Sequence, residues 1–98
     1  NTIDFLVKNR RDGTIGLYIQ DRGEVVFSSL IKQDQVSNEW KNTLVDKSIV
    51  ECQYQSDAWP KWWKPKNMRT DKTHPNNRRT LTRTIVNIEE DIKIEEFL

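Results

Sequence analysis

The stretch Thr2-Ile3-Asp4-Phe5-Leu6-Val7-Lys8 alternates between apolar and polar side chains, which is typical of a β-strand with one buried face. Ile3, Phe5 and Val7 share the apolar face. Thr2, Asp4 and Lys8 share the polar face, and Leu6 is an additional apolar residue. The chain therefore begins with a predicted strand in which Asp4 lies on the polar side.

Two turns and two more strands follow this first strand. Residues 9–13, Asn-Arg-Arg-Asp-Gly, form a turn signal, and in the following segment, 14–20, Ile15, Leu17 and Ile19 share one face. A second turn at 21–24 leads into Val25-Val26-Phe27. The first thirty residues therefore predict a meander of three antiparallel strands.

The rest of the chain predicts two more extended segments and a helix. Residues 48–54 form a fourth strand, and 62–69 form an extended segment that Pro65 interrupts. Leu81, Ile85, Ile88 and Ile92 recur at helical spacing, and Asn76 or Asn77 is a candidate cap for that helix. Shorter elements are a helical turn capped by Ser37 and a last turn, 93–98, capped by Asp91.

These elements indicate a mainly β domain with a C-terminal helix. Five short strands in a meander with a terminal helix fit an OB-fold, a small Greek-key β-barrel, and an SH3-like barrel is the nearest alternative. At 98 residues the chain forms one domain with a modest core. The fold does not by itself select a function.

Charge is distributed unevenly along the chain. The overall net charge is +1, but residues 59–83 carry eight lysines and arginines against the single acid Asp71. Residues 84–98 carry five acids against one lysine. Since screening limits electrostatic attraction to about 8 Å at physiological salt, local charge density matters more than the total. Residues 59–83 therefore form an anion-attracting segment.

Several classes of site are disfavoured by composition. Cys52 and His74 are the only cysteine and histidine, so we expect neither an internal disulfide nor a structural zinc site. No apolar stretch has the length of a membrane span, and no signal leader opens the chain. We expect a reducing, intracellular location without membrane contact. Cys52 itself is interpreted as an inert core residue, and His74 as an exposed turn residue.

The stretch Arg69-Thr70-Asp71-Lys72-Thr73-His74-Pro75-Asn76 places two cations around one acid inside a predicted turn. A guanidinium and an ammonium are complementary groups for gripping phosphate oxygens, and Asp71 can orient a cation or help hold a hydrated metal. Arg69 and Lys72 are thus candidate phosphate-binding residues. A solvated turn with a surface ion pair is the alternative interpretation.

Candidate RNA contacts lie on either side of this stretch. Trp59 could stack on a base, whereas packing is the preferred interpretation for Trp63. Arg78, Arg79 and Arg83 could follow an RNA backbone, or could form an ordinary solvated helix surface.

Together, these motifs resemble the C-terminal OB domain of mRNA-capping guanylyltransferases. The resemblance is carried by Asn1-Thr2-Ile3-Asp4-Phe5, the strand Ile49-Val50-Glu51-Cys52, Trp63 and the stretch 69–76, in the same order and over nearly the whole chain. The stretch 69–76 is the most specific of these motifs. Residues 85–98 also resemble the closing helices of that domain.

The resemblance implies a single OB lid domain, residues 1–98, cut from a larger capping enzyme. In this family a lysine in a Lys-x-Asp-Gly motif attacks GTP to form lysyl-GMP, which is passed to 5′-diphosphate RNA. That motif is missing here, so we expect the chain to be inactive alone. Arg69, Asp71 and Lys72 would be the catalytic residues. Arg69 and Lys72 would hold and orient the β and γ phosphates, and Asp71 would arrange the two cations. Mg²⁺ or Mn²⁺ would accompany GTP, bound mainly by the nucleotidyltransferase domain.

Two other functions remain open at this point. The chain could be a single-stranded nucleic-acid-binding OB module that uses residues 59–83, or the OB domain of an ATP-dependent polynucleotide ligase. The abundance of Asn, Lys and Ile suits an AT-rich genome such as that of a large DNA virus. A viral enzyme would work in the host cytoplasm and a cellular one in the nucleus.

Overall fold

The described part of the protein forms five antiparallel strands in one sheet, followed by a C-terminal helix. The computed structural model describes residues 2–96, the last six of them by their backbone alone. The strands are β1 (Thr2–Asn9), β2 (Ile15–Asp21), β3 (Glu24–Ile31), β4 (Ile49–Gln55) and β5 (Trp62–Met68). The helices are α1 (Asn38–Thr43) and α2 (Arg78–Glu96), and a short 3₁₀ turn spans Gln33–Gln35.

The strand order is β3-β2-β1-β4-β5, with β1 at the centre. The two edge strands, β3 and β5, contact each other, but no ladder joins them within the described part of the chain. The sheet therefore curls towards a barrel without closing, as in the partly open Greek-key barrel of an OB-fold. The predicted fold class is confirmed, although the barrel is open on this side.

The inner face of the sheet forms the core. Ile3, Phe5 and Val7 of β1 are fully buried, as their alternation predicts. They pack with residues from every other strand and from α2, namely Ile15, Leu17, Ile19, Ile31, Val50, Cys52, Trp63 and Leu81. The core thus lies between the curled sheet and the helix.

The backbone conformation of the turn between β2 and β3 favours a hairpin. Arg22 and Gly23, the two residues between β2 and β3, both have positive φ values, 54° and 82°. Two positive values fit the type I′ turn that matches the twist of a β-hairpin, and glycine adopts such a value at little cost. The strand β3 extends further than the three residues predicted for it and ends at the buried Ile31.

Two local predictions were wrong. Pro65 does not interrupt its strand, because β5 is a sheet edge and the irregular register between Glu51 and Cys52 of β4 accommodates it. Helix α2 also continues through Asp91 instead of restarting there. The expected last turn reaches residues 97 and 98, which lie outside the described residues. The predicted cap Ser37 is confirmed, since its Oγ accepts a hydrogen bond from the Trp40 N–H.

Candidate phosphate-binding site

Arg69 and Lys72 belong to one tight turn that leaves the end of β5. The Arg69 N–H donates to the Ile49 carbonyl at 2.8 Å, which anchors the start of the turn to β4. The Lys72 N–H then donates to the Arg69 carbonyl at 3.2 Å. This i to i+3 bond closes a β-turn, so the two cations leave the backbone close together.

Both cations converge on a single carboxylate oxygen of Asp4. Arg69 Nη1 lies 3.1 Å from Asp4 Oδ2, and Lys72 Nζ lies 2.6 Å from the same atom. The Asp4 side chain is only 7% exposed, whereas those of Arg69 and Lys72 are 34% and 30% exposed. The carboxylate thus forms the floor of the site, and the two cations keep surface that faces solvent.

Asp4 is a residue of the candidate site whose burial strand periodicity did not predict. It lies on the outer face of β1, as the alternation predicts, but the loop after β5 covers it and leaves it buried. A signal was present in the sequence, since Asp is depleted in strands and this one stands between Ile3 and Phe5. A buried carboxylate requires paired cations, and Arg69 and Lys72 supply them.

Asp71 holds the other side of the Arg69 guanidinium. Arg69 Nε lies 3.2 Å from Asp71 Oδ1, and Nη2 lies 3.3 Å from Oδ2. The hydrogen bonds from Arg69 hold the pKa of Asp71 below its usual value, and Asp71 in turn raises the pKa of Arg69. Because the Asp71 side chain is 69% exposed, an incoming anion can displace it, whereas the buried Asp4 stays in place.

Asn76 connects this loop to the sheet through hydrogen bonds to two strands. Its Oδ1 accepts from the Asp4 N–H at 2.7 Å, and its own N–H donates to the Asp4 carbonyl at 2.8 Å. Its carbonyl accepts from the Gln20 N–H at 3.0 Å, so Asn76 bridges β1 and β2. The helix cap is the neighbouring Asn77, whose Oδ1 accepts from the Thr80 N–H. Of the two candidate caps, Asn77 is therefore correct, and Asn76 has a different structural role.

An open cleft lies beside the two cations. It has a volume of about 240 Å³ and is lined by Ser48, Ile49, Met68, Arg69, Thr70 and Lys72. Among residues 2–90, whose side chains are described, no cluster of three or more His, Cys, Asp or Glu is placed to hold a metal ion. Asp4 and Asp71 are both engaged by Arg69, so this site does not fit a divalent cation. Its chemistry is that of an anion receptor.

A second acid, Glu51, lies on β4 directly opposite Asp4. It accepts hydrogen bonds from Thr2 Oγ1 at 2.8 Å and from Asn67 Nδ2 at 3.2 Å. These two bonds keep the pKa of Glu51 below its usual value. Glu51 therefore remains charged and adds to the negative field that orients Arg69.

The predicted RNA contacts lie elsewhere and do not form one group. Trp59 is 91% exposed in the loop between β4 and β5. Arg78 Nε donates to Asp21 Oδ2 at 2.9 Å, while Arg79 and Arg83 are exposed along α2. These three arginines line a cleft of about 530 Å³ with Asp21, Thr82 and Val86. No hydrogen bond or ring contact among the described residues joins Trp59 to them.

Three further predictions concern packing. Trp63 is 4% exposed and contacts the rings of Phe5 and Tyr54, so its interpretation as a core residue is confirmed. Cys52 is fully buried, and burial raises the pKa of its thiol, which supports its interpretation as an inert core residue. His74 is exposed, with Nδ1 2.9 Å from Thr73 Oγ1.

Among the described helices, none combines the length and apolar character needed to cross a membrane.

Comparison with known families supports one assignment. The family model described as mRNA capping enzyme, C-terminal domain, matches residues 1–98, the entire chain. No solved structure matches the chain.

Proposed function

Since the chain belongs to the mRNA capping enzyme C-terminal domain family and so has a role in mRNA capping, we propose that it is the OB lid of a guanylyltransferase. In this proposal the domain closes on GTP that is bound to a nucleotidyltransferase domain of the same polypeptide. Arg69 and Lys72 then engage the β and γ phosphates while lysyl-GMP forms. The RNA acceptor carries a 5′-diphosphate.

The observation that carries the proposal is the convergence of two cations on one buried oxygen. Asp4 pairs with Arg69 and Lys72 from below, at 3.1 Å and 2.6 Å, and leaves their outer surfaces available to a ligand. Side chains held in this way need little rearrangement when an anion arrives, which favours electrostatic stabilisation in the transition state. A solvated turn, the alternative interpretation, would not need a buried carboxylate beneath it.

The charge that develops during lysyl-GMP formation lies on the departing pyrophosphate. In the proposed closed state, Arg69 and Lys72 would contact this group and would bind it more tightly as its charge grows. Displacement of Asp71 by the phosphates frees Nε and Nη2 of Arg69 for a bidentate contact. The divalent cation that accompanies GTP would be bound by the phosphates and the nucleotidyltransferase domain, since the carboxylates here are paired with cations.

Replacement of each cation in the complete capping enzyme tests this function. We expect Arg69→Ala and Lys72→Ala each to lower the rate of enzyme-GMP formation by about 10²-fold or more, the loss seen when one transition-state donor is removed. Lys64→Ala is the matched control, because Lys64 is an exposed cation of β5 just before the site. Circular dichroism verifies that each variant is folded.

The same labelling assay separates the alternatives. Labelling with GTP and not ATP supports a guanylyltransferase, whereas labelling with ATP supports a ligase. Wild-type labelling in both Arg69→Ala and Lys72→Ala would refute the proposed role of the two cations.

A further inference from the structure

An aromatic pair lies on the outer face of the sheet, away from the core. Tyr18 of β2 and Phe27 of β3 are cross-strand partners, and their rings meet edge to face with centroids 5.6 Å apart. Phe27 is 46% exposed, and Val25 on the same strand is 42% exposed. The Tyr18 ring lies against Gly16, close enough that a β-carbon there would clash with it. The pair is therefore held in place while one ring stays accessible.

Cations accompany these rings. Lys8 Nζ lies 4.7 Å from the centre of the Tyr18 ring, and the Arg10 guanidinium lies 5.4 Å from that of Phe27. Arg10 and Arg11 also line an open cleft of about 470 Å³ beside Tyr18. Asp12 is the acid of that cleft, and Thr14 already occupies its Oδ1 with two hydrogen bonds. The turn between β1 and β2 thus presents excess positive charge next to exposed aromatic surface.

A second basic cleft lies at the far end of β2, beside α2. Strand β2 ends at Asp21, which lines the cleft that contains Arg78, Arg79 and Arg83. From Ile15 to Asp21 the strand covers about 20 Å, so this cleft lies at the opposite end of β2 from Arg10 and Arg11. A polyanion with flat, apolar bases complements the exposed rings and the cations next to them. A purely apolar protein surface would leave the cations desolvated and unpaired.

This face adjoins the phosphate site. Tyr18 is the cross-strand partner of Leu6, which lies two residues along β1 from Asp4 and on the same side of the sheet. Two residues along a strand and one strand across place the Tyr18 and Asp4 backbones about 8 Å apart. After pyrophosphate has left, an RNA whose 5′-diphosphate takes its place at Arg69 and Lys72 would reach the aromatic pair directly.

We propose that the outer face of β1–β3, with Arg10 in the adjoining turn and Tyr18 and Phe27 as a stacking platform, binds single-stranded RNA just downstream of the 5′ end that is capped. The inference rests on the proposed capping function. Stacking supplies binding that tolerates any base, as capping of unrelated transcripts requires, and the flanking cations bind the backbone. OB-folds commonly use the face of strands 2 and 3 for oligonucleotides.

Fluorescence anisotropy of the complete enzyme with a short single-stranded RNA that ends in a 5′-diphosphate tests this proposal. We expect Phe27→Ala to weaken binding by about tenfold, and Phe27→Trp to retain binding because it keeps a stacking surface. Arg10→Gln should lower the slope of log affinity against log salt by about one. Val45→Ala and Lys64→Gln are matched controls, since both remove exposed groups elsewhere.

Photo-crosslinking from 4-thiouridine in the same RNA should label the peptides that contain Tyr18 and Phe27. The proposal is overturned if Phe27→Ala, folded by circular dichroism, binds RNA as tightly as the wild type, or if Val45→Ala loses as much affinity. It is also overturned if Phe27→Ala disturbs only the docking of another protein domain. The proposed lid function is tested separately, by GTP labelling of Arg69→Ala, so the two proposals can fail independently.

Discussion

Asp4 and Asn76 form a reciprocal pair in which the Asp4 N–H donates to the Asn76 side-chain oxygen at 2.7 Å and the Asn76 N–H donates to the Asp4 carbonyl at 2.8 Å. The two residues are 72 positions apart in the sequence. Their hydrogen bonds bring the end of the loop to Asp4, whose carboxylate also pairs with Arg69 and Lys72. The candidate phosphate-binding turn is therefore positioned at both ends. Arg69 is bonded to β4 where the turn begins, and Asn76 is bonded to β1 where the loop ends.

Replacement of Asn76 should loosen the whole loop. Asn76→Ala leaves the Asp4 N–H without its acceptor, and an unsatisfied buried donor costs about 1 to 3 kcal/mol. We expect the free energy of unfolding to fall by that amount in urea titrations followed by circular dichroism. Asn42→Ala, on the exposed surface of α1, is the control and should change stability by less than about 0.5 kcal/mol. Equal stability of the two variants would contradict the bridging role.

Replacement of Asp4 should affect stability and labelling together. Asp4→Asn keeps the shape of the side chain but removes the charge that pairs with Arg69 and Lys72. We expect a loss of about 1 to 3 kcal/mol in unfolding free energy, less than for a fully buried pair because both cations retain solvent contact. We also expect a higher KM for GTP in enzyme-GMP formation, because the cations lose their common anchor. Unchanged KM in a folded variant would show that the anchor is dispensable.

The Arg69–Asp71 contact predicts a pH dependence. Hydrogen bonds from Arg69 keep the pKa of Asp71 below 3.8 in the folded protein. The contact is therefore complete above pH 3.8 and is lost as the pH falls through the depressed pKa. Carboxyl carbon NMR should show Asp71 titrating below 3.8 in the wild type and closer to 3.8 in Arg69→Gln. An identical titration in both proteins would place the cause of the shift elsewhere.

Two tryptophans that lie close in sequence should differ strongly in how much stability is lost when each is replaced by alanine. Trp63 is buried against Phe5 and Tyr54, so Trp63→Ala should cost about 3 to 5 kcal/mol of unfolding free energy. Trp59 is 91% exposed, and Trp59→Ala should change stability by less than about 0.5 kcal/mol. Chemical denaturation followed by far-UV circular dichroism measures both. A large loss for Trp59→Ala would show that this side chain packs against the domain.

Much of the fold could be predicted from the sequence because its signals are local. The alternation of Ile3, Phe5 and Val7 reflects the two-residue repeat of a strand, and the spacing of Leu81, Ile85 and Ile88 reflects a helical face. Pro65 misled the prediction, since proline disfavours central strands but is tolerated at an edge, and edge position depends on the order of the strands. The order of the strands in the sheet could not be predicted from the sequence, so any feature that depends on that order was open to error.

The sequence by itself determined the strand pattern, the basic segment 59–83 and the cationic pair three residues apart. Only the tertiary structure decided that Asp4 is buried beneath that pair, that Asn76 bridges β1 and β2, and that Tyr18 and Phe27 meet on the outer face. The physical reason is that periodicity assigns a side chain to a face of its own strand but carries no information about which distant loop covers that face. The chain topology determines which loop covers each face. In this protein the loop after β5 covers Asp4, so an aspartate on the polar face of β1 is buried beneath Arg69 and Lys72.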